Sequence, residues 1–174
     1  IFLNFKPYIV HRLDKETSGI LIIAKNREYA QLFTSLFRIR KIYKTYLSLC
    51  YGKIEQNKGI LDNILIRFDK NKKISERAIT NYKILDNNTN STLLLLNPIT
   101  GRKHQIRKQL SLFGFPIIGD TKYNYYKDKI NKEKYLLLHA YSIKFMINKK
   151  KYEYKVDVPE YFRNYYSNKL KILP

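Results

Sequence analysis

Residues 11–20 of this chain read His11-Arg12-Leu13-Asp14-Lys15-Glu16-Thr17-Ser18-Gly19-Ile20. This polar, turn-forming run is followed by the apolar segment 21–24, for which the composition predicts a buried strand. Among hydroxyls and backbone N–H groups, the carboxylate of Asp14 is expected to stay ionised and oriented. Such a carboxylate suits a nucleophile or a general base. By spacing alone, a simpler alternative is favoured, in which Asp14 caps a helix or closes an Asx-turn.

A second stretch of similar character spans residues 100–107 and reads Thr100-Gly101-Arg102-Lys103-His104-Gln105-Ile106-Arg107. Together, the two stretches resemble the signature motifs of the RluA-type pseudouridine synthases, in the same order and with a similar separation. Shorter similarities lie between and after them, so the resemblance covers nearly the whole chain.

The resemblance implies an α+β fold, that of a pseudouridine synthase catalytic domain. Such a domain has a mixed, mainly antiparallel sheet with flanking helices and a basic cleft. The pattern of the residues also predicts an α+β fold, because many short strand-like segments with two main helices favour this fold class. We expect a single domain over residues 1–174, lacking the N-terminal strand and loop with which family members usually begin.

Local patterns predict the two main helices. Asn26 is suited to cap a helix over about residues 27–40, whose apolar residues recur at helical spacing. A second helix is expected to begin at Thr100 or Gly101, and Gly114 is well placed to end it.

A strand is predicted for residues 42–51, which are rich in β-branched and aromatic side chains. Side chains alternate between the two faces of a strand, so Lys44 and Tyr46 share one face and Tyr43 lies on the other. This segment resembles a third family motif, whose tyrosine lies in the active site. The resemblance therefore makes Tyr46, rather than Tyr43, the candidate active-site tyrosine.

The resemblance also implies a reaction, the isomerisation of specific uridines in rRNA or tRNA to pseudouridine. The glycosidic bond to N1 breaks, the uracil rotates, and C5 is joined to the ribose. The expected catalytic residues are Asp14, Tyr46 and Arg107, and the expected substrate-binding residues are Arg12, Thr17, Arg102 and His104. No cofactor is implied.

Each expected role has a physical reason. Asp14 would act as the nucleophile, at the sugar or at the base, and an ion pair with Arg107 would keep it ionised. Arg12 would fill the space that the flipped-out uridine leaves or contact a phosphate. Tyr46 would stack on the base and help to move the C5 proton. Arg102 and His104, close to a helix start, would favour anions.

Composition limits the partners. The formal net charge is +20, from 34 Lys+Arg against 14 Asp+Glu, which fits a polyanionic partner such as RNA. An anionic membrane surface is a competing partner, but no apolar run approaches transmembrane length. The histidines and the one cysteine show no metal-ligand spacing, and His139 is expected to be a packed structural histidine. We expect an intracellular monomer that uses no metal and binds no membrane.

Two other classes of function stay open at this point. A non-catalytic RNA-binding protein or RNA chaperone could keep the same fold, although binding alone does not require Asp14, Tyr46 and Arg107 together. A basic module that binds DNA or an anionic membrane is a weaker alternative, which no specific motif supports.

Overall fold

A mixed sheet of seven strands dominates the part of the chain that the computed structural model describes, residues 6–70, 72–124 and 134–165. The strands are β1 (Tyr8–Ile9), β2 (Ser18–Gly19), β3 (Ile23–Ala24), β4 (Tyr43–Tyr51), β5 (Lys58–Asp69), β6 (Lys72–Asn87), β7 (Ser91–Pro98), β8 (Leu138–Ile147) and β9 (Lys150–Lys155). The helices are α1 (Arg27–Arg38), α2 (Gln105–Leu112) and α3 (Glu160–Arg163). None of the helices in these ranges is long and apolar enough to cross a membrane.

The sheet runs in the order β2-β8-β4-β7-β6-β5, and β9 also pairs with β8. All of these neighbours are antiparallel except β2 and β8, which are parallel. The expected mixed, mainly antiparallel sheet is therefore confirmed. The parallel pair ties the loop that contains Asp14 to β8, which also pairs with β4 in the main sheet.

The two faces of the sheet have separate apolar cores, as the alternation of side chains along β4 requires. Leu47 and Leu49 pack in one cluster with Phe162 of α3. Cys50 packs in the other cluster with Leu110 of α2, and Tyr46 lies against that same cluster. Helices thus flank both faces, and the face that carries α2 also carries Tyr46.

Helix α1 begins as predicted and ends earlier than predicted. The side chain of Asn26 accepts a hydrogen bond of 2.9 Å from Tyr29 N, which caps the first turn. At the other end Arg40 adopts a left-handed conformation with φ 57°. Arg40 N donates to Phe37 O and Lys41 N donates to Leu36 O, as in a Schellman motif. This motif ends the helix at Arg38, within the predicted range 27–40.

Helix α2 begins at Gln105, so the predicted start at Thr100 or Gly101 is wrong. The reason is the side chain of Gln105, whose Oε1 accepts hydrogen bonds from Thr100 Oγ1 at 2.7 Å and from Arg102 N at 2.9 Å. Its Nε2 donates to Ile79 O on β6 at 3.0 Å. These bonds hold residues 100–104 as a loop against the sheet.

The segment 21–24 is not the buried strand that its composition predicts. Only Ile23 and Ala24 form a strand, and it pairs with β1 in a separate two-stranded sheet. Ala24 is buried, whereas Leu21 and Ile23 are exposed. A two-residue ribbon outside the main sheet has no second layer over its outer face, so its apolar side chains stay partly in solvent.

Candidate active site

One cleft of about 450 Å³ brings together segments that are far apart in sequence. Its walls come mainly from residues 10–14 with Thr17, from Lys44 and Tyr46 on β4, and from residues 100–106 before and at the start of α2. The predicted site residues that line it are Asp14, Tyr46, Arg12, Thr17, Arg102 and His104. Arg107 is not among the lining residues.

The loop that contains Asp14 is fixed at both ends of its turn. Thr17 N donates to Asp14 O at 2.9 Å, and Ile20 N donates to Ala140 O on β8 at 3.0 Å. Between them, Gly19 has φ +111°, and a Cβ at this position would lie 2.3 Å from Ala140 O. Only glycine fits so close to β8. The pairing of β2 with β8 therefore fixes where Asp14 lies.

The carboxylate of Asp14 does not have the purely structural role that spacing alone suggests. The turn is closed by the backbone oxygen of Asp14, not by its side chain. Within the described residues, the carboxylate neither caps a helix nor accepts a backbone hydrogen bond. It is partly buried, with a side-chain exposure of 20%, and lines the cleft. The Asp14 carboxylate therefore faces the cleft and is not used to close its own turn.

His11 anchors the start of the same loop. Its Nε2 accepts a hydrogen bond of 2.8 Å from Ile22 N, and its ring packs on Phe37 at a centroid distance of 4.8 Å. Burial lowers the pKa of His11 to about 4, and the charge of Lys44 adds to the effect. A neutral His11 is required for this hydrogen bond, because a protonated Nε2 cannot accept.

The imidazole of His104 lies beside the Asp14 carboxylate. Its Nε2 lies 3.7 Å from Oδ1 of Asp14, and its Nδ1 is hydrogen-bonded to the hydroxyl of Tyr123 at 2.7 Å. His104 is the N-cap residue of α2 and adopts the left-handed conformation, with φ 53°. Burial lowers the pKa of His104, while Asp14 opposes and Arg107 adds to this shift.

Arg107 binds a different carboxylate from the one predicted. Its Nε and an Nη donate to the two carboxylate oxygens of Asp120, both at 2.8 Å, and Glu16 lies 3.2 Å away. Asp120 also accepts from the backbone N–H of Lys122 and Tyr123. The predicted ion pair between Arg107 and Asp14 is therefore wrong. Arg107 thus joins the first turn of α2 to Asp120 and is not hydrogen-bonded to Asp14.

The two candidate tyrosines are separated as the strand alternation predicts. Tyr46 lines the cleft, whereas Tyr43 is 62% exposed and does not line it. The register shift between β4 and β8 skips Tyr141 on β8, so the alternation along β4 is intact. Burial raises the pKa of Tyr46 to about 12, and the nearby carboxylate of Asp14 adds to the effect. The Tyr46 hydroxyl therefore keeps its proton at neutral pH.

The other predicted substrate-binding residues differ in how firmly they are held. Arg102 is fixed by Glu76, with an Nη–Oε1 distance of 2.9 Å. Arg12 is exposed at the rim. The buried Oγ1 of Thr17 has no hydrogen-bond partner among the described residues. Buried hydroxyls are normally hydrogen-bonded, so the unpaired hydroxyl of Thr17 is unusual in a residue that lines the cleft.

Lys44, Lys103 and Phe37 also line the cleft and were not predicted as site residues. The sequence did contain a signal for Lys44, because it stands two positions before Tyr46 and thus on the same strand face. Burial lowers the pKa of Lys44. Nothing in the sequence distinguishes Lys103 from the many other surface lysines.

His139 has the structural role that was expected. It is buried, with Nδ1 bonded to Ser18 Oγ at 2.9 Å and Nε2 close to Val156 O at 3.2 Å. In residues 6–70, 72–124 and 134–165, no group of three or more His, Cys, Asp or Glu side chains is arranged to hold a metal ion.

Comparisons with known proteins agree with this architecture. The model of the family described as RNA pseudouridylate synthase matches residues 2–112. The chain is 41% identical over 171 residues to ribosomal large subunit pseudouridine synthase C of Rickettsia bellii, a match that covers 88% of this chain and 54% of that protein. It is 32% identical over 173 residues to ribosomal large subunit pseudouridine synthase D of Borreliella burgdorferi, covering 95% and 53%. The chain thus spans about half the length of the curated relatives it matches.

Solved structures resemble the fold. Human RNA pseudouridylate synthase domain containing 4 superposes with a TM-score of 0.77 at 27% identity, covering 90% of this chain and 73% of that one. Human RNA pseudouridylate synthase domain containing 1 gives a TM-score of 0.79 at 24% identity, covering 88% and 70%. The expected α+β fold is confirmed by these superpositions and by the sheet itself. Since the family model matches more than half of the sequence, the chain belongs to the RNA pseudouridylate synthase family.

Proposed function

We propose that this chain isomerises uridine to pseudouridine within RNA, with Asp14 as the nucleophile. The observation that carries the proposal is the position of the Asp14 carboxylate. It lies in a cleft between the phenol of Tyr46 and the imidazole of His104, on a turn that the sheet holds in place. A fixed carboxylate with room in front of it is what a covalent step at the nucleotide requires.

The remaining cleft residues supply the rest of the reaction. The uridine must leave its base stack to reach Asp14, at a cost of about a few kcal/mol. Arg12 at the exposed rim would occupy the vacated space or contact a phosphate. Tyr46 would stack on the flipped base, and its protonated hydroxyl could help to move the C5 proton. Thr17 would hydrogen-bond the nucleotide, and His104 would stabilise charge beside Asp14.

Arg107 acts as a positioning residue in this proposal. Its ion pair with Asp120 fixes the first turn of α2 against the turn at Lys122 and Tyr123. Tyr123 in turn orients the ring of His104. Arg107 thereby influences Asp14 through His104.

We propose RNA of the large ribosomal subunit as the first substrate to examine. The support is the naming of the curated relatives as ribosomal large subunit pseudouridine synthases. The net charge of +20 supplies affinity for phosphates without specifying a sequence.

The test is to map pseudouridine in total RNA after incubation with wild-type protein, with Asp14→Asn and with Asp62→Asn. Asp62 is a matched control, because it is a carboxylate on β5 that pairs with the exposed Arg77 and does not line the cleft. We expect the wild type and Asp62→Asn to modify the same uridines, and Asp14→Asn to modify none while keeping its fold.

Two results would overturn the proposal. Turnover by Asp14→Asn at the wild-type rate would exclude Asp14 as the nucleophile. If the folded wild-type protein bound RNA but formed no pseudouridine, a non-catalytic RNA-binding function would be supported instead.

A further inference from the structure

A second pocket of about 300 Å³ adjoins the active-site cleft, and we call it the side pocket. Its cationic lining residues are Arg38, Arg40, Lys44 and Arg102, and none of its lining residues in the described ranges is a carboxylate. Lys44 and Arg102 also line the cleft, so the two spaces meet at these side chains. A molecule that fills the cleft can therefore extend past Lys44 into the side pocket.

Most of these cations have no counter-ion. Arg102 is paired with Glu76, at 2.9 Å. In the part of the chain that the structure describes, no carboxylate lies within 4.0 Å of the charged nitrogens of Arg38, Arg40 or Lys44. Like charges gathered in one pocket repel each other, and the half-buried Lys44 also loses hydration. An anion in the side pocket would relieve both costs.

The backbone at Arg40 gives a second, independent indication. Arg40 adopts φ 57° at the position after the C-cap of α1. This position is usually glycine, because side chains make the left-handed conformation unfavourable. The helix dipole favours a cation near the end of α1 and so accounts for Arg38. The helix dipole does not explain why position 40, with its left-handed backbone, is an arginine, because a glycine there would end the helix equally well.

We propose that the side pocket binds a backbone phosphate of the RNA, on one side of the nucleotide that occupies the cleft. This inference rests on the proposed function and deepens it. Guanidinium groups match the geometry of phosphate oxygens with paired hydrogen bonds. The side pocket offers such groups from α1 and from the loop before α2, with the Lys44 ammonium at the junction. The pocket would thus fix the direction in which the strand leaves the cleft.

The test compares Arg40→Gly with the matched control Lys149→Gly. Lys149 is also a cation in the left-handed conformation, with φ 63°, and it lies in the turn between β8 and β9, outside the lining of both pockets. Both substitutions remove one charge and relieve the same kind of backbone strain. Arg38→Gln serves as a second variant, since glutamine preserves the helix. The probe is a single-stranded oligouridine 12-mer, with either its natural phosphates or neutral methylphosphonate linkages.

Arg40→Gly should keep its melting temperature or gain up to about 4 °C, yet bind the charged probe about tenfold more weakly. Arg38→Gln should weaken binding in the same direction. The slope of log affinity against log salt should become about 0.7 less steep for Arg40→Gly. With the neutral probe, wild type and variants should bind alike, and Lys149→Gly should resemble the wild type with both probes.

The proposal would be overturned if Arg40→Gly and Lys149→Gly had the same affinity for the charged probe. It would also be overturned if Arg40→Gly lost as much affinity for the neutral probe, because the contact would then not be to phosphate. Probe binding does not require turnover. These outcomes therefore show whether the side pocket binds phosphate even if Asp14 is found not to be the nucleophile.

Discussion

Two hydrogen bonds of 2.8 Å join the guanidinium of Arg107 to the carboxylate of Asp120, and both side chains are almost fully buried, at 4% and 1% exposure. A buried charge without its partner is costly. Asp120→Asn leaves Arg107 with the more exposed Glu16 as a partner, so it should lower the free energy of unfolding by at most about 3–5 kcal/mol. Asp62→Asn makes the same chemical change in an exposed pair and should cost much less. Urea denaturation would measure both values.

The double variant Arg107→Met/Asp120→Leu separates stability from function. Replacing both buried charges with apolar side chains should restore only part of the stability that Asp120→Asn loses, because the amides of Lys122 and Tyr123 also lose their acceptor. If Arg107 positions His104, activity should still be impaired in the refolded double variant. Wild-type activity in the double variant would show that the ion pair serves the fold alone.

Tyr46→Phe and Tyr43→Phe should have different effects. Tyr46→Phe keeps the ring but removes the hydroxyl from the cleft, so RNA affinity should persist while turnover slows by about 100-fold. Tyr43→Phe changes an exposed side chain and should leave turnover close to the wild type. Single-turnover kinetics would measure both, on an unmodified rRNA fragment that contains a uridine which the wild-type protein isomerises. Equal losses from the two substitutions would mean that Tyr46 has no special role.

Thr17→Val tests whether the unpaired hydroxyl of Thr17 hydrogen-bonds the nucleotide. Because Thr17 Oγ1 is buried without a partner, its removal should leave the stability unchanged or raise it by up to about 1 kcal/mol. Thr92→Val is the control, since Thr92 Oγ1 bonds both Ile54 N and Gly52 O and its loss should destabilise the fold. Substrate affinity should fall for Thr17→Val. If affinity and turnover were untouched, Thr17 would not contact the nucleotide.

RNA affinity should depend strongly on salt. Each phosphate contact adds about −0.7 to the slope of log affinity against log salt for single strands. Titrating the oligouridine 12-mer between low and physiological salt would give the slope. A flat response would point to a partner other than a nucleic acid, despite the net charge of +20.

Acid should destabilise the protein partly through His11. In the unfolded chain His11 has an ordinary pKa of 6.5, whereas the folded pKa is about 4. Between these values the unfolded state binds more protons, so the free energy of unfolding falls as pH decreases from about 6.5 to about 4. In His11→Gln, the part of this pH dependence that comes from His11 should be absent, and only the part from other titrating groups should remain. Denaturation of both proteins at pH 7.5 and pH 5 measures the difference, and parallel pH profiles would contradict the assignment.

Local chemistry made several parts of the fold predictable. Asn26 caps α1 as its side chain suggests. The alternation along β4 placed Tyr46 correctly. These features depend on residues within a few positions of one another, so a sequence pattern contains the necessary information.

Features that depend on distant partners were less predictable. The start of α2 is set by the bond of Gln105 to β6, which the helical pattern of residues 100–113 does not reveal. The partner of Arg107 is Asp120 rather than Asp14, because the turn after Gly119 brings a second carboxylate within reach. A sequence motif identified which residues gather at the site but not which carboxylate each cation binds.

The pairing of β2 with β8 has a consequence for the order in which parts of the protein fold. Ser18 lies 121 residues before its hydrogen-bond partner His139. During synthesis the loop with Asp14 emerges early but has no strand to pair with until most of the chain has been made. Closing so long a loop is entropically costly, so we expect this pairing to form late in folding. Pulsed hydrogen exchange should find the amide of Ile20 among the last to gain protection, and early protection would contradict this order.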